Sequence, residues 1–164
     1  MFVEMEVRKM EIDDLGTVFH LGERLFTPEK YPNLYRVWDE FEVTGLFHSE
    51  PELCLVADID GKTEGFLMGS TVEKAGTAWN YGHIFWLGVA QQFQRKGVAG
   101  RLYAAFRKLM ITRGVRILVV DTQADNINAV EFFRRQGFSQ ETEHTYMANN
   151  LESETRQSAA QAKS

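Results

Sequence analysis

The chain of 164 residues has one cysteine, three prolines and no long apolar run, and each scarcity excludes a class of protein. Cys54 has no partner, so no disulfide framework forms within the chain, and reducing conditions suit it. The longest apolar stretch, His83–Ala90, is interrupted by Gly88 and falls well short of the ~18 residues of a membrane span. The amino terminus carries acids where a secretion signal has a basic start and then a long apolar stretch. A cytoplasmic location, away from membranes, is the expectation. What is present points to a packed domain. Apolar residues make up 44% of the chain and aromatics 12%, too many for a disordered chain, and a domain near this length buries roughly 70% of its unfolded surface.

Acids are missing from one long segment. Between Lys74 and Val120 there is no Asp or Glu, while Lys74, Arg95, Lys96, Arg101, Arg107, Lys108, Arg113 and Arg116 are all basic. Every one of the 23 acids therefore lies elsewhere, and the net charge of −5 hides two opposed regions. A basic block inside an acidic protein suits a polyanion of limited size better than long nucleic acid, whose phosphates would repel the remainder. The plainer reading is a set of solvated helix surfaces.

Val3, Met5 and Val7 alternate with charged residues and predict a half-buried strand. Asp13-Asp14 predicts the cap of a helix to about Leu25, with Leu15, Val18, Leu21 and Leu25 on one face. Thr27-Pro28 and Tyr31-Pro32 break it, and a second helix is predicted over Leu34–Phe47. Strands over Leu53–Ile59 and Gly65–Val72 flank an Asp60-Gly61 hairpin signal. After a turn at Ala75-Gly76, a long strand is expected from Trp79 to Val89. Leu102, Phe106, Leu109 and Met110 then fall at helical spacing. Arg116–Asp121 reads as a strand buried on both faces. Asn126 or Asn128 opens a short helix that Gly137 stops, with Asn128 and Glu131 at capping-box spacing. A last strand is predicted over Glu143–Met147. Residues 1–150 read as one domain, and 151–164 as a polar, disordered tail. The order implies an α/β fold with a mixed sheet, antiparallel first and partly parallel later, with helices on both faces.

The most informative segment runs from Val89 to Leu102. A strand ends, a short loop follows, and Gly97, Val98, Ala99 and Gly100 open a helix. Small residues let backbone N–H groups converge on an anion, the helix terminus adds partial positive charge, and Arg95 and Lys96 add full charges. It matches neither the magnesium–nucleotide loop nor the dinucleotide fingerprint. Gln94-x-x-Gly97-x-Ala99 instead resembles the Gln/Arg-x-x-Gly-x-Gly/Ala signature of the GNAT (Gcn5-related N-acetyltransferase) family. Asn126-x-x-Ala129-x-x-Phe132-Phe133-x-x-x-Gly137-Phe138 is similar to that family's second landmark, and the resemblance covers roughly residues 3–148.

The resemblance implies a sheet of six to seven strands with about four helices. It implies a V-shaped split between two parallel strands, here Trp79–Val89 and Arg116–Asp121. It also implies acetyl-CoA as cosubstrate and no metal. On this pattern the N–H groups of Gln94 to Gly100 would hold the CoA pyrophosphate. The Leu87-Gly88-Val89 backbone would bind the pantetheine arm like an added strand, with Val89 N–H toward the thioester oxygen. Asn126 and Phe133 would flank the thiol end. Gly88 would mark a bulge or a close backbone approach, and a bulge would bend the strand away from its neighbour.

The family's reaction is direct attack of an amine on the thioester. A lysine amine, with an ordinary pKa near ~10.4, is neutral about one time in a few thousand at pH 7, a handicap of roughly 4–5 kcal/mol. A base relieves it. His83 is the first candidate, because even spacing from Val89 predicts one face; its plainer role is packing beside Tyr81 and Phe85. Asp121 is a second base or a holder of the substrate cation, or else caps a loop. His144 is a third, while His20 and His48 read as surface or packing residues. Phe133 stands where many relatives have a tyrosine thought to protonate the leaving thiolate. Tyr146 is the candidate replacement, and Tyr103 reads as packing.

An acceptor wall over Tyr31–His48 and Glu141–Tyr146 would supply Asp39, Glu40, Glu42, Glu141, Glu143 and aromatics, suiting a cationic amine such as a protein amino terminus, a lysine, a polyamine or an aminoglycoside. Solvated helix faces are the alternative for these acids. Two other functions stay open: an acyl-CoA-binding regulatory module without turnover, favoured by Phe133, and nucleic-acid binding through the basic block, disfavoured by the lack of a basic aromatic sheet face. A homodimer is left open.

Overall fold

In the computed structural model, which describes residues 4–30, 37–73, 80–149 and 151–152, the alternating amino-terminal segment forms β1 (Met5–Lys9). A 3-10 turn at Ile12–Asp14 leads into α1 (Leu15–Leu25). The cap differs from the Asp13-Asp14 expectation: Glu11 caps the 3-10 turn, and Glu11 N–H donates to Asp14 Oδ2 at 2.7 Å. The Asp14 carboxylate is also gripped by Arg8, at 2.7 and 2.9 Å, which holds it below the ordinary carboxylate range. It is committed to fixing β1 on α1, with Arg8 also donating to Asp58.

The second helix, α2, is Glu40–Ser49, later than expected. Residues 31–36 lie outside the described residues, but Val37–Asp39 are not helical. Asp39 is extended and accepts Glu42 N–H at 2.7 Å, which sets the first turn there. The hairpin forms as expected from β2 (Cys54–Ile59) and β3 (Lys62–Glu73). Asp60 (φ 50°) and Gly61 (φ 76°) occupy the left-handed turn positions that Asp-Gly favours. The Ala75-Gly76 turn and Trp79 lie outside the described residues. Then follow β4 (Asn80–Val89), α3 (Val98–Thr112) and β5 (Ile117–Val120).

The sheet order is β1-β2-β3-β4-β5, antiparallel up to β4 and parallel between β4 and β5. Helices cover both faces. A Cβ at Gly65 of β3 would meet Val98 and Leu102 of α3, whereas one at Gly88 of β4 would meet Phe66 and Leu25 of α1. The α1/α2 side holds an aromatic core in which Trp38, Phe66, Trp86 and Phe26 pack at centroid separations of 4.8–6.2 Å. Leu102, Phe106 and Met110 are buried on the α3 side. Burying a side chain of this size contributes ~1.5–3 kcal/mol, so both layers hold the sheet.

Five strands are described rather than six or seven. The segment expected as a last strand, Glu143–Met147, has no regular secondary structure, and residues 139–149 are exposed. Its two large apolar residues, Tyr146 and Met147, are sequence neighbours. A strand would send them to opposite faces and bury neither side well. β5 is half-buried rather than buried on both faces, because it is the last strand of the described sheet.

The chain divides into two compact units, Met1–Gln123 and Ala124–Ser164. The second holds α4 (Ile127–Arg135), capped by Asn126, whose Oδ1 accepts Ala129 N–H at 3.3 Å. Asn126 rather than Asn128 is the cap, so the Asn128–Glu131 box is not formed. Gly137 at φ 95° follows the helix end. The expected tail falls outside the described residues beyond Glu152.

Candidate active site

The site is organised by a bulge in β4. Met68 pairs with Trp86 but Gly69 pairs with Ile84, so Phe85 is the extra residue. The expectation at Gly88 is a bulge or a close approach, and the bulge lies elsewhere. That glycine instead makes room for the core, since a Cβ there would come 2.8 Å from the Phe66 ring. The bulge sits opposite Gly69, where a Cβ would lie 2.5 Å from both the His83 carbonyl oxygen and the Phe106 ring. Only a residue without a side chain tolerates that approach.

The bulge overturns one spacing argument. Val89 pairs with Gly65, which faces α3, and Ile84 pairs with Gly69, which also faces α3. His83 and Trp86 therefore share the α1/α2 face although they are three apart, and His83 is on the face opposite Val89. Counting in twos fails across an inserted residue.

The same bulge ends a ladder. β4 and β5 pair from Tyr81↔Ile117 to Ile84↔Val120, and β4 runs on for five residues beyond that point. Ala90 N–H donates to Glu64 O on the β3 side. By alternation Leu87 and Val89 turn their N–H and C=O groups toward the β5 side, where no strand pairs with them among the described residues.

The loop after β4 has features that suit an anion. A 3-10 turn covers Gln91–Phe93. Gln94 ties the loop to the strand end, its side-chain amide donating to Val89 O at 3.0 Å and its N–H to Gln91 O at 3.3 Å. Arg95 (φ 60°) and Gly97 (φ 84°) are both left-handed. For arginine that conformation costs of order 1–2 kcal/mol, and such strain gathers at binding sites. Gly97 is the α3 N-cap and offers no side-chain cap. The first intrahelical bond is Arg101 N–H to Gly97 O, at 3.1 Å. The N–H groups of Val98, Ala99 and Gly100 thus have no carbonyl partner within the helix. A Cβ at Gly97 or Gly100 would meet nothing within 4 Å. Open space, first-turn amides and the exposed Arg95 and Lys96 fit a diphosphate.

Where the ladder parts, His83 Nε2 lies 3.1 Å from Asp121 Oδ2. The two candidate bases are one pair, with side chains 16% and 40% exposed. The His83 ring stacks on bulged Phe85 at 4.2 Å and 28°. Sequence reasoning missed this partnership and the role of Phe85. The signal was Gly69, a strand glycine with no turn to explain it.

Other candidates are placed separately. In the second unit Phe133 is buried, edge-on to Phe132 at 5.1 Å and Phe138 at 5.2 Å. Tyr146 and His144 are exposed there, and Glu141 is bound to Arg134 at 2.5 and 2.7 Å, which lowers its pKa. Within α2, Asp39 is used as the cap, Glu40 is exposed, and Glu42 Oε1 accepts Trp86 Nε1–H at 3.0 Å. No group of three or more His, Cys, Asp or Glu able to hold a metal is found among the described residues. No helix there is long and apolar enough to cross a membrane.

Comparison with known proteins gives the family and the fold. An acetyltransferase of Pectobacterium atrosepticum is 28% identical over 133 residues, 80% of this chain and 85% of the relative. Among solved structures, the aminoglycoside N-acetyltransferase AAC(6')-Iy in complex with CoA superimposes with a TM-score of 0.69 at 20% identity, covering 92% of this chain and 97% of that one. The NatC complex bound to Gag peptide and CoA gives 0.73 at 15%, covering 85% and 87%. These two likenesses establish the fold. The description of the acetyltransferase (GNAT) family matches residues 17–138. With that match spanning most of its length, the chain belongs to the GNAT family and is an acyl-CoA-dependent N-acetyltransferase.

Proposed function

We propose that this chain moves an acetyl group from acetyl-CoA to a cationic primary amine, with His83 and Asp121 receiving the proton. The observation that carries the reading is the parting of β4 from β5 at Ile84 and Val120, directly beside the His83–Asp121 pair. On one side of that point the edge of β4 offers the Leu87 and Val89 amides to an extended pantetheine arm. Beyond it, the Arg95–Gly100 amides receive the diphosphate. Gln94 positions the loop rather than binding the anion, since its N–H and side chain are already engaged.

The amine attacks the thioester carbonyl, the C–N bond forms and the C–S bond breaks. The ammonium first gives one proton to the His83–Asp121 pair, and the second nitrogen proton, released as the tetrahedral intermediate collapses, goes to the departed thiolate. The thiolate leaves without prior protonation, because a thiol pKa near ~8.5 makes it a tolerable leaving group. Phe133 in place of tyrosine is compatible with this route. The acidic first turn of α2 favours a positively charged acceptor, and one structural neighbour is an aminoglycoside N-acetyltransferase, aminoglycosides being amines that carry several positive charges.

The test follows free thiol release from acetyl-CoA with a panel of amines. Cys54 gives no background, because burial pushes its thiol up to about 12. Turnover with cationic amines is expected, and His83→Gln lowers it by roughly 10²–10⁴ while acetyl-CoA still raises the Tm. Stabilisation by acetyl-CoA with no thiol release from any amine would instead establish a binding module.

A further inference from the structure

We propose that Glu42 is the specificity anchor for a second ammonium group on the acceptor, so that the preferred substrates are amines carrying two or more positive charges. This rests on the acetyl-transfer reading above. Three acids open α2, yet only one is held by a side chain on the sheet face that carries His83. Asp39 is consumed as the helix cap and Glu40 points to solvent. Glu42 is half-buried, with one carboxylate oxygen fixed by the indole N–H of Trp86. The indole is itself immobilised, edge-on to Trp38 at 5.0 Å and against Phe26 at 4.8 Å. A carboxylate held by a buried donor keeps a second oxygen with lone pairs for a cation.

The bulge decides what Glu42 faces. Were Phe85 an ordinary ladder residue, Trp86 and His83, three apart, would lie on opposite sides of the sheet. With it, both lie on the α1/α2 face, opposite Met68 and Ser70 of β3. Those partners are two residues apart, or about 7 Å along the strand. A reacting amine at His83–Asp121 and an ammonium at Glu42–Trp86 are therefore two stations on one face. Phe85, stacked on the His83 ring, is followed in β4 by Trp86, and such rings suit the methylene chain of a diamine or polyamine, while ring faces add attraction for the cation. A monoamine fills one station only.

The experiment compares kcat/KM for linear diamines with kcat/KM for monoamines of equal chain length, and reads the ratio. In the unaltered protein the ratio is expected to exceed ten for 1,5-diaminopentane. It should collapse toward one for 1,2-diaminoethane, which cannot span the two stations. Glu42→Gln brings the 1,5-diaminopentane ratio down near one, mainly through KM, and the exposed control Glu40→Gln keeps it. Trp86→Phe retains an aromatic ring but removes the donor, and lowers the ratio several-fold, which serves if Glu42→Gln folds poorly. Turnover with a ratio near one in the unaltered protein, or an unchanged ratio in both Glu42→Gln and Trp86→Phe, overturns this inference alone. Absence of turnover with every amine overturns it together with the reading it rests on.

Discussion

Two helix starts in the first unit show how the same physics is used for opposite ends. α2 begins with Asp39, whose carboxylate accepts Glu42 N–H and satisfies the first turn from within. α3 begins with Gly97, which has no side chain to give, and its first turn has no side-chain cap. Against a glycine cap the difference is worth only roughly a few tenths of a kcal/mol of stability in favour of the Asp start. Leaving it out of α3, and adding a left-handed Arg95 just before, makes sense where an incoming anion completes the turn. One terminus is closed from within the chain, and on the proposed reading the other is left for the ligand.

The largest effect expected from breaking this contrast comes from Gly100→Glu. A Cβ there meets nothing within 4 Å, so Tm should hold while affinity for acetyl-CoA falls by about 100-fold or more, measured calorimetrically, as a carboxylate repels the diphosphate. Gly97→Ala comes next. Its φ of 84° makes any side chain cost of order 1–2 kcal/mol, seen in urea unfolding together with weakened acetyl-CoA binding. Asp39→Ala is the reciprocal test at the other start, with a loss of about 1 kcal/mol in stability and an unchanged dissociation constant for acetyl-CoA. The smallest effect is Lys96→Ala, whose exposed charge contributes ~0.3–1 kcal/mol to anion binding. Its few-fold loss should shrink as salt is added.

Much of this site is legible from the chain because it is local. Gln94, Gly97, Ala99 and Gly100 lie within seven residues, and a strand–loop–helix with small residues at the junction states its own chemistry. Asp60-Gly61 specifies its turn in the same way. His83 and Asp121 can each be singled out as possible bases, but their contact depends on the β4–β5 register, which no short segment encodes. The bulge is harder still. Gly69 and Gly88 look alike in sequence, and only the Phe106 ring and the His83 carbonyl, brought in from α3 and β4, separate them. The late start of α2 and the absent strand at Glu143–Met147 have the same origin, since a cap and a buried face are decided by what is available to pair with.

The most direct test of the account is amide NMR of the labelled protein during titration with CoA. The account predicts that the largest shifts fall on Arg95–Gly100, with a second group at Leu87 and Val89, while the α2 amides Glu40–Glu42 stay in place. Saturating CoA that leaves Arg95–Gly100 unmoved, or shifts centred on the α2 start instead, would contradict it.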